Sequence, residues 1–152
     1  MRPALLDVNV LIALAWDGHA FHRPARAWFH ANRKYGWATC VLTESAFVRL
    51  SSQPAVVGVT IPVAEALRAL EIAAKEPNHL FWPMITGLSS LSKTIAATIF
   101  GPNQVNDAIL LDLAIRNQGR LATFDRRLTL TSLLLDDPLA AGSLEVIPLQ
   151  SA

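Results

Sequence analysis

Short apolar runs alternate with stretches of helical periodicity along the whole chain, and this alternation constrains the fold more than any other feature. Pro3 to Leu6 is long enough for a buried strand and too short for a helix. Val8 to Trp16 then carries Leu11, Leu14 and Ala15 at helical spacing, with Gly18 as a stop. Pro24 suits the first turn of a second helix reaching about Lys34, with Ala27, Trp28 and Ala31 on one face. Gly36 breaks the chain, and Trp37 to Leu42 reads as a second strand. Thr43 is placed to cap a helix containing Glu44, Ala46, Phe47 and Leu50, and Ser51 to Gly58 reads as a loop. Pro62 opens a helix over Val63 to Lys75, with Leu67, Leu70 and Ala74 on one stripe. Leu80 to Trp82 is a third strand. A loop and then a helix from about Ser89 or Ser90 follow. Asn103 or Asn106 caps the next helix, which ends near Asn117. Arg120 to Thr123 is a fourth strand, a short helix follows Arg126, and Leu144 to Ile147 is a last strand. Strands alternating with helices imply right-handed βαβ units: an α/β fold with a central parallel sheet of four to five strands.

The 152 residues suit a single domain over residues 1–150. Hydrophobic residues make up 52% and charged ones only 16%, so we expect part of the surface to be covered by a partner. The formal charge of +1 leaves nucleic-acid binding to local clusters rather than to bulk charge. Cys40 is the only cysteine, which excludes an intrachain disulfide, a zinc knuckle and a CxxC redox centre. Asp7 interrupts the N-terminus before a signal-peptide core can form, and no apolar run reaches the roughly 18 residues of a membrane span. A soluble, cytoplasmic protein is expected.

Acids fall where a parallel sheet does its chemistry, beyond the carboxyl ends of the strands. Asp7 ends the first strand, Glu44 follows the second, Asp125 follows the fourth, and Asp107 opens the helix leading into the fourth. Singly, each has a plain structural explanation as a helix cap or a first-turn acid. Together, crowded carboxylates raise one another's pKa unless a hard cation such as Mg²⁺ or Mn²⁺ resolves the repulsion. Asp112 lies five residues after Asp107, on another face of the helix. It is placed to pair with Arg116 at the surface. The chain has no GxSxG, P-loop or GxGxxG motif.

These residues resemble the PIN-domain ribonucleases, in particular the VapC-type toxins of bacterial type II toxin–antitoxin pairs. The resemblance spans nearly the whole chain. Leu5-Leu6-Asp7-Val8-Asn9-Val10-Leu11 is similar to the family's first acidic motif, Thr43-Glu44-Ser45-Ala46-Phe47-Val48-Arg49 to the second, Asn106-Asp107-Ala108 to the third, and Leu121-Ala122-Thr123-Phe124-Asp125-Arg126 to the fourth. The segment from Trp16 to Trp28, with His19 and His22, resembles one branch of the family. One departure is Asn106, where many relatives carry Thr. The resemblance implies a three-layer α/β/α fold and hydrolysis of RNA phosphodiesters by a metal-activated water. Asp7, Glu44, Asp107 and Asp125 would be catalytic and metal-binding, and Asn9 and Thr123 would orient ligands or water. Mg²⁺ is the implied cofactor, with Mn²⁺ the alternative. RNA, a VapB-type antitoxin and a second copy of the chain are the implied partners.

An acidic pocket needs cations nearby to hold RNA. Arg126 and Arg127, adjoining Asp125, are the preferred candidates. Arg116 and Arg120 belong to the same group, and Arg23, Arg26, His30, Arg33 and Lys34 form a second. The tryptophans read as core or dimer contacts, His19 and His22 as packing or surface residues, and His79, just before a strand, carries no signal. Other readings are a catalytically silent PIN scaffold and a PIN nuclease in RNA processing without an antitoxin. A haloacid-dehalogenase-type phosphatase would need an acid at position 9, where this chain has Asn9.

Overall fold

A computed structural model describes residues 1–129 and 137–149. Its strands are β1 (Ala4–Leu6), β2 (Trp37–Thr39), β3 (His79–Phe81), β4 (Arg120–Thr123) and β5 (Leu144–Val146). All neighbours pair in parallel, in the order β3-β2-β1-β4-β5. The chain therefore winds outward from β1 through β2 to β3, then returns to the other side of β1 with β4. The reversal opens a crevice between the carboxyl ends of β1 and β4, the place where such sheets bind ligands.

Each strand sends alternate side chains to opposite faces, and each face has its own core. One core gathers Ala4, Leu6, Trp37 and Ala122 under α1 (Val8–Ala15), α2 (His22–Asn32), α3 (Val41–Ser51) and α5 (Val63–Ala73), with α4 (Pro54–Val57) alongside. The other places Leu5, Ala38 and Leu121 against α6 (Lys93–Ala96) and α7 (Val105–Arg116). This is the expected three-layer α/β/α arrangement, with five strands. Among the described residues no helix is long and apolar enough to cross a membrane.

Local differences from the sequence expectations have physical causes. The helix α3 begins at Val41, so Thr43 lies inside its first turn and not at the cap. Its Oγ1 accepts from the Cys40 N–H at 3.1 Å. The apolar stripe of α5 is Ala66, Ala69, Leu70 and Ala73, whose small side chains seat against the core, while Leu67 is 53% exposed. Residues 51–58 contain the short helix α4, and residues 85–100 hold only a 3₁₀ turn at Leu88–Ser90 and the four-residue α6. Neither Asn103 nor Asn106 caps α7, which is entered from a 3₁₀ turn over Pro102–Gln104. The expected short helix after Arg126 is a 3₁₀ turn, Arg126–Leu128, and its continuation lies outside the described residues.

The amino end of β4 is closed by a buried polar cluster. Arg120 is 6% exposed; its Nε donates to Glu145 Oε2 at 2.5 Å, its Nη2 to Asn32 Oδ1 at 2.9 Å, and its Nη1 to the Arg2 carbonyl. Trp28 Nε1 donates to the other Glu145 oxygen at 2.7 Å. Gly119, just before it, faces the Trp82 ring. A Cβ there would collide with that ring and lie 2.8 Å from the Pro3 carbonyl oxygen.

Candidate active site

The crevice between β1 and β4 is lined by the acids that end those strands. Asp7 continues β1, its N–H donating to Ala122 O at 3.0 Å, and then caps α1 through Oδ1, which accepts from the Val8 N–H at 2.7 Å. Asp7 is thus a helix cap as well as a candidate ligand. Its Oδ2 accepts from Thr123 Oγ1 at 2.7 Å and from Asn9 Nδ2 at 3.1 Å. Asn9 Nδ2 also donates to Thr123 Oγ1 at 3.0 Å, and Asn9 Oδ1 accepts from the Phe124 N–H at 3.1 Å. Thr123 Oγ1 accepts a further bond from the Asp125 N–H at 3.0 Å. These bonds join Asp7 to Asn9, two residues on, and to Thr123, more than a hundred positions away, and hold its carboxylate in one orientation.

Asp107 lies in the first turn of α7, where the helix dipole favours a carboxylate. Even so, partial burial and the nearby Asp7 and Asp125 charges push its pKa up to about 6. Burial, assisted by the charge of Asp125, also raises that of Asp7, although its hydrogen bonds pull the other way. Asp7, Asp107 and Asp125 are therefore within electrostatic reach of one another. Asp125 differs: Arg127 Nη2 donates to its Oδ2 at 2.7 Å and Arg127 Nε to its Oδ1 at 3.0 Å, which lowers its pKa. Asp107, Asp125 and Arg127 line a cavity of about 370 Å³ together with Asn103, Gln104 and Phe100.

Glu44 is not drawn into this group. Its carboxylate is turned to Thr39, whose Oγ1 donates to Oε1 at 2.6 Å. Among the described residues no three His, Cys, Asp or Glu side chains converge closely enough to hold an ion between them. Instead Arg127 engages Asp125, and Thr39 engages Glu44.

The basic residues separate clearly. Arg126 and Arg127 are exposed beside the cavity. The proposed grouping of Arg116 and Arg120 with them does not hold. Arg116 is bound to Asp112 Oδ2 at 2.6 Å and to the Ser90 carbonyl, and Arg120 is buried at the opposite end of its strand. Asp112 does pair with Arg116, but it is only 8% exposed, because residues 83–92 fold over it; it is not a surface residue. Arg23, Arg26, His30, Arg33 and Lys34 are all exposed on α2 and the turn after it. His22 Nδ1 is bonded to the Ala13 carbonyl and His19 Nδ1 accepts from the Phe21 N–H, so both serve local packing.

Sequence reasoning missed Phe100, which is 76% exposed on the cavity wall, with its backbone N–H and that of Gly101 held by Gln104 Oε1. It also missed Thr39 and His79, which meet at 2.9 Å across the β2–β3 pair. No local motif marks either pairing.

The PIN domain family model matches residues 4–132. The chain is 48% identical over 122 residues to Ribonuclease VapC38 of Mycobacterium tuberculosis, covering 80% of this chain and 84% of that one. Ribonuclease VapC44 of the same organism is 40% identical over 129 residues, covering 85% and 90%. Ribonuclease VapC39, also from that organism, is 39% identical over 144 residues, covering 95% and 99%.

Proposed function

The chain belongs to the PIN-domain family, and from that premise we propose that it is a divalent-metal-dependent endoribonuclease, the toxin of a type II toxin–antitoxin pair. The observation that carries this reading is the buried Asp7, fixed by Thr123 and Asn9 and within electrostatic reach of Asp107 and Asp125. The names of the curated relatives, all ribonucleases, support the substrate class.

The donor set suits a hard divalent cation. Asp7 and Asp107 offer carboxylate oxygens, and burial first, with neighbouring carboxylate charge second, raises the pKa of both, a cost that a bound cation would relieve. In this reading Asp7 and Asp107 would hold Mg²⁺ or Mn²⁺, Asp125 would complete the set once its side chain turns inward, and Glu44, in the orientation that Thr39 gives it, would complete it through water. Such a cation supplies Lewis-acid activation of water and shielding of the phosphodiester charge. The protein's own residues do the rest. Thr123 and Asn9 keep Asp7 from rotating away. Arg127, released from Asp125, and Arg126 offer guanidinium groups to the RNA backbone. Phe100 presents a ring on which an unpaired base can stack. Asn103 and Gln104 lie on the same cavity wall as polar partners for that nucleotide.

The reading also supplies the protein's setting. In this reading it works in the cytoplasm, together with its RNA and a VapB-type antitoxin. A second copy of the chain and the antitoxin are the partners for exposed apolar side chains such as Val63, Leu67 and Ile72 on α5. The test is direct. Wild-type protein arrests growth when expressed and cleaves single-stranded RNA with Mg²⁺, and both effects disappear with Asp7→Asn or with chelator. An Asp7→Asn protein that is folded and cuts RNA at the wild-type rate overturns the proposal.

A further inference from the structure

Thr39, the last residue of β2, has one hydroxyl proton and two polar neighbours. Its Oγ1 lies 2.6 Å from Glu44 Oε1 and 2.9 Å from His79 Nε2. An ionised carboxylate only accepts hydrogen bonds. The hydroxyl proton therefore points to Glu44, and Oγ1 must accept from a protonated His79 Nε2. In the neutral ring this selects the Nε2–H tautomer and leaves Nδ1 bare. The other tautomer would leave Nε2 and Oε1 competing for a single proton. Thr39 is 2% exposed, so its hydroxyl has little access to solvent. Parallel pairing sets His79 beside Trp37, with ring centroids 4.5 Å apart, which fixes where the imidazole stands.

We infer that His79 is a positioning residue for Glu44, acting through the Thr39 hydroxyl. The one-way chain Nε2–H to Oγ1–H to Oε1 sets the direction in which the second acid faces. Each bond in such a chain polarises the next, so the Thr39 hydroxyl is a better donor to Glu44 than it would be alone. A glutamate without such a bond samples several staggered rotamers. The role in turnover rests on the proposal that Glu44 serves the nuclease site; the hydrogen-bond chain itself does not. A role in packing alone would need the ring over Trp37 but not the direction of its N–H.

Long-range ¹H–¹⁵N correlation spectra of the full-length protein at pH 7.5 read the tautomer, with the His79 signals assigned by their loss in His79→Gln. Wild type should show a protonated Nε2 and a bare Nδ1, and Thr39→Val should lose that preference. In RNA cleavage, His79→Phe keeps an aromatic ring but has no N–H, so kcat should fall roughly 10–100-fold with KM unchanged. His79→Gln, which restores an amide N–H, should recover most of that loss. A wild-type Nδ1–H tautomer, or one unchanged in Thr39→Val, overturns the chain. If Glu44→Gln abolishes cleavage while His79→Phe cuts like wild type, the positioning role falls alone. If Glu44→Gln itself cuts like wild type, the role falls together with the part that Glu44 plays in the proposed site.

Discussion

Replacing Asp107 by asparagine should stabilise the protein while abolishing its proposed chemistry. Asp107 titrates near 6, where an unperturbed aspartate titrates near 3.8. At about 1.36 kcal/mol per pH unit, holding this carboxylate ionised costs the fold up to ~3 kcal/mol. The side chain is only about half buried, and solvent screening brings the figure to about 1–2 kcal/mol. The sign follows from the direction of the shift. The folded protein holds this proton more tightly than the unfolded chain, so Asp107 costs nothing below about 3.8. Its penalty grows as the pH rises and is complete above about 6. Asparagine keeps the shape and removes the charge. With about 2–4 °C per kcal/mol for a chain of this size, Asp107→Asn should melt about 3–6 °C above wild type at pH 8 in chelator. The gap should close as the pH is lowered towards 4. Asp125 has the opposite dependence, its contribution being lost at low pH, but the wild-type comparison largely cancels it. Adding Mg²⁺ should raise the melting temperature of wild type and leave the variant unmoved, reversing part of the gap. A variant that melts at or below the wild-type temperature at pH 8 refutes the reasoning, since burial and the neighbouring carboxylates would then not penalise the ionised Asp107.

Two further outcomes follow from named contacts. Gly119→Ala should cost about 2 kcal/mol and lower the melting temperature by about 4–8 °C, because its Cβ meets both the Trp82 ring and the Pro3 carbonyl. The backbone cannot shift to make room, since the Gly119 and Arg120 N–H groups are bonded to Ala114 O and Pro3 O; an unchanged melting curve would show that it can. Phe100→Ala should raise KM for single-stranded RNA at least about fivefold at constant kcat, as expected from ~1–3 kcal/mol per stacked base. An unchanged KM would remove Phe100 from the RNA surface.

The parts of the fold and site that were legible in the sequence are those written by neighbours in the chain. Asp7 directly follows β1 and Asp125 stands two residues after β4, which ends at Thr123, so their approach to the same edge of the sheet needed only the rule that sheet chemistry gathers at strand ends. The Asp112–Arg116 pair was legible for the same reason, being one helical turn apart. Its burial was not, because the cover comes from residues 83–92, and nothing in the helix encodes how that segment lies. Arg120 looked like a free cation because its counter-ion is Glu145, on a strand that joins the sheet only in the folded protein. The orientation of Glu44 was hidden likewise: Thr39 and His79 are forty residues apart and meet only through strand pairing.

The clamp around Arg120 bears on where the folding unit stops. The matched family segment ends at residue 132, yet Glu145 in β5 is the counter-charge for the buried Arg120 and the acceptor for Trp28. A chain cut back to that segment would strand a guanidinium inside the protein, a defect typically worth about 3–5 kcal/mol. The strand β5 is thus a keystone of the domain, and shortened versions made for expression or crystallisation must retain it.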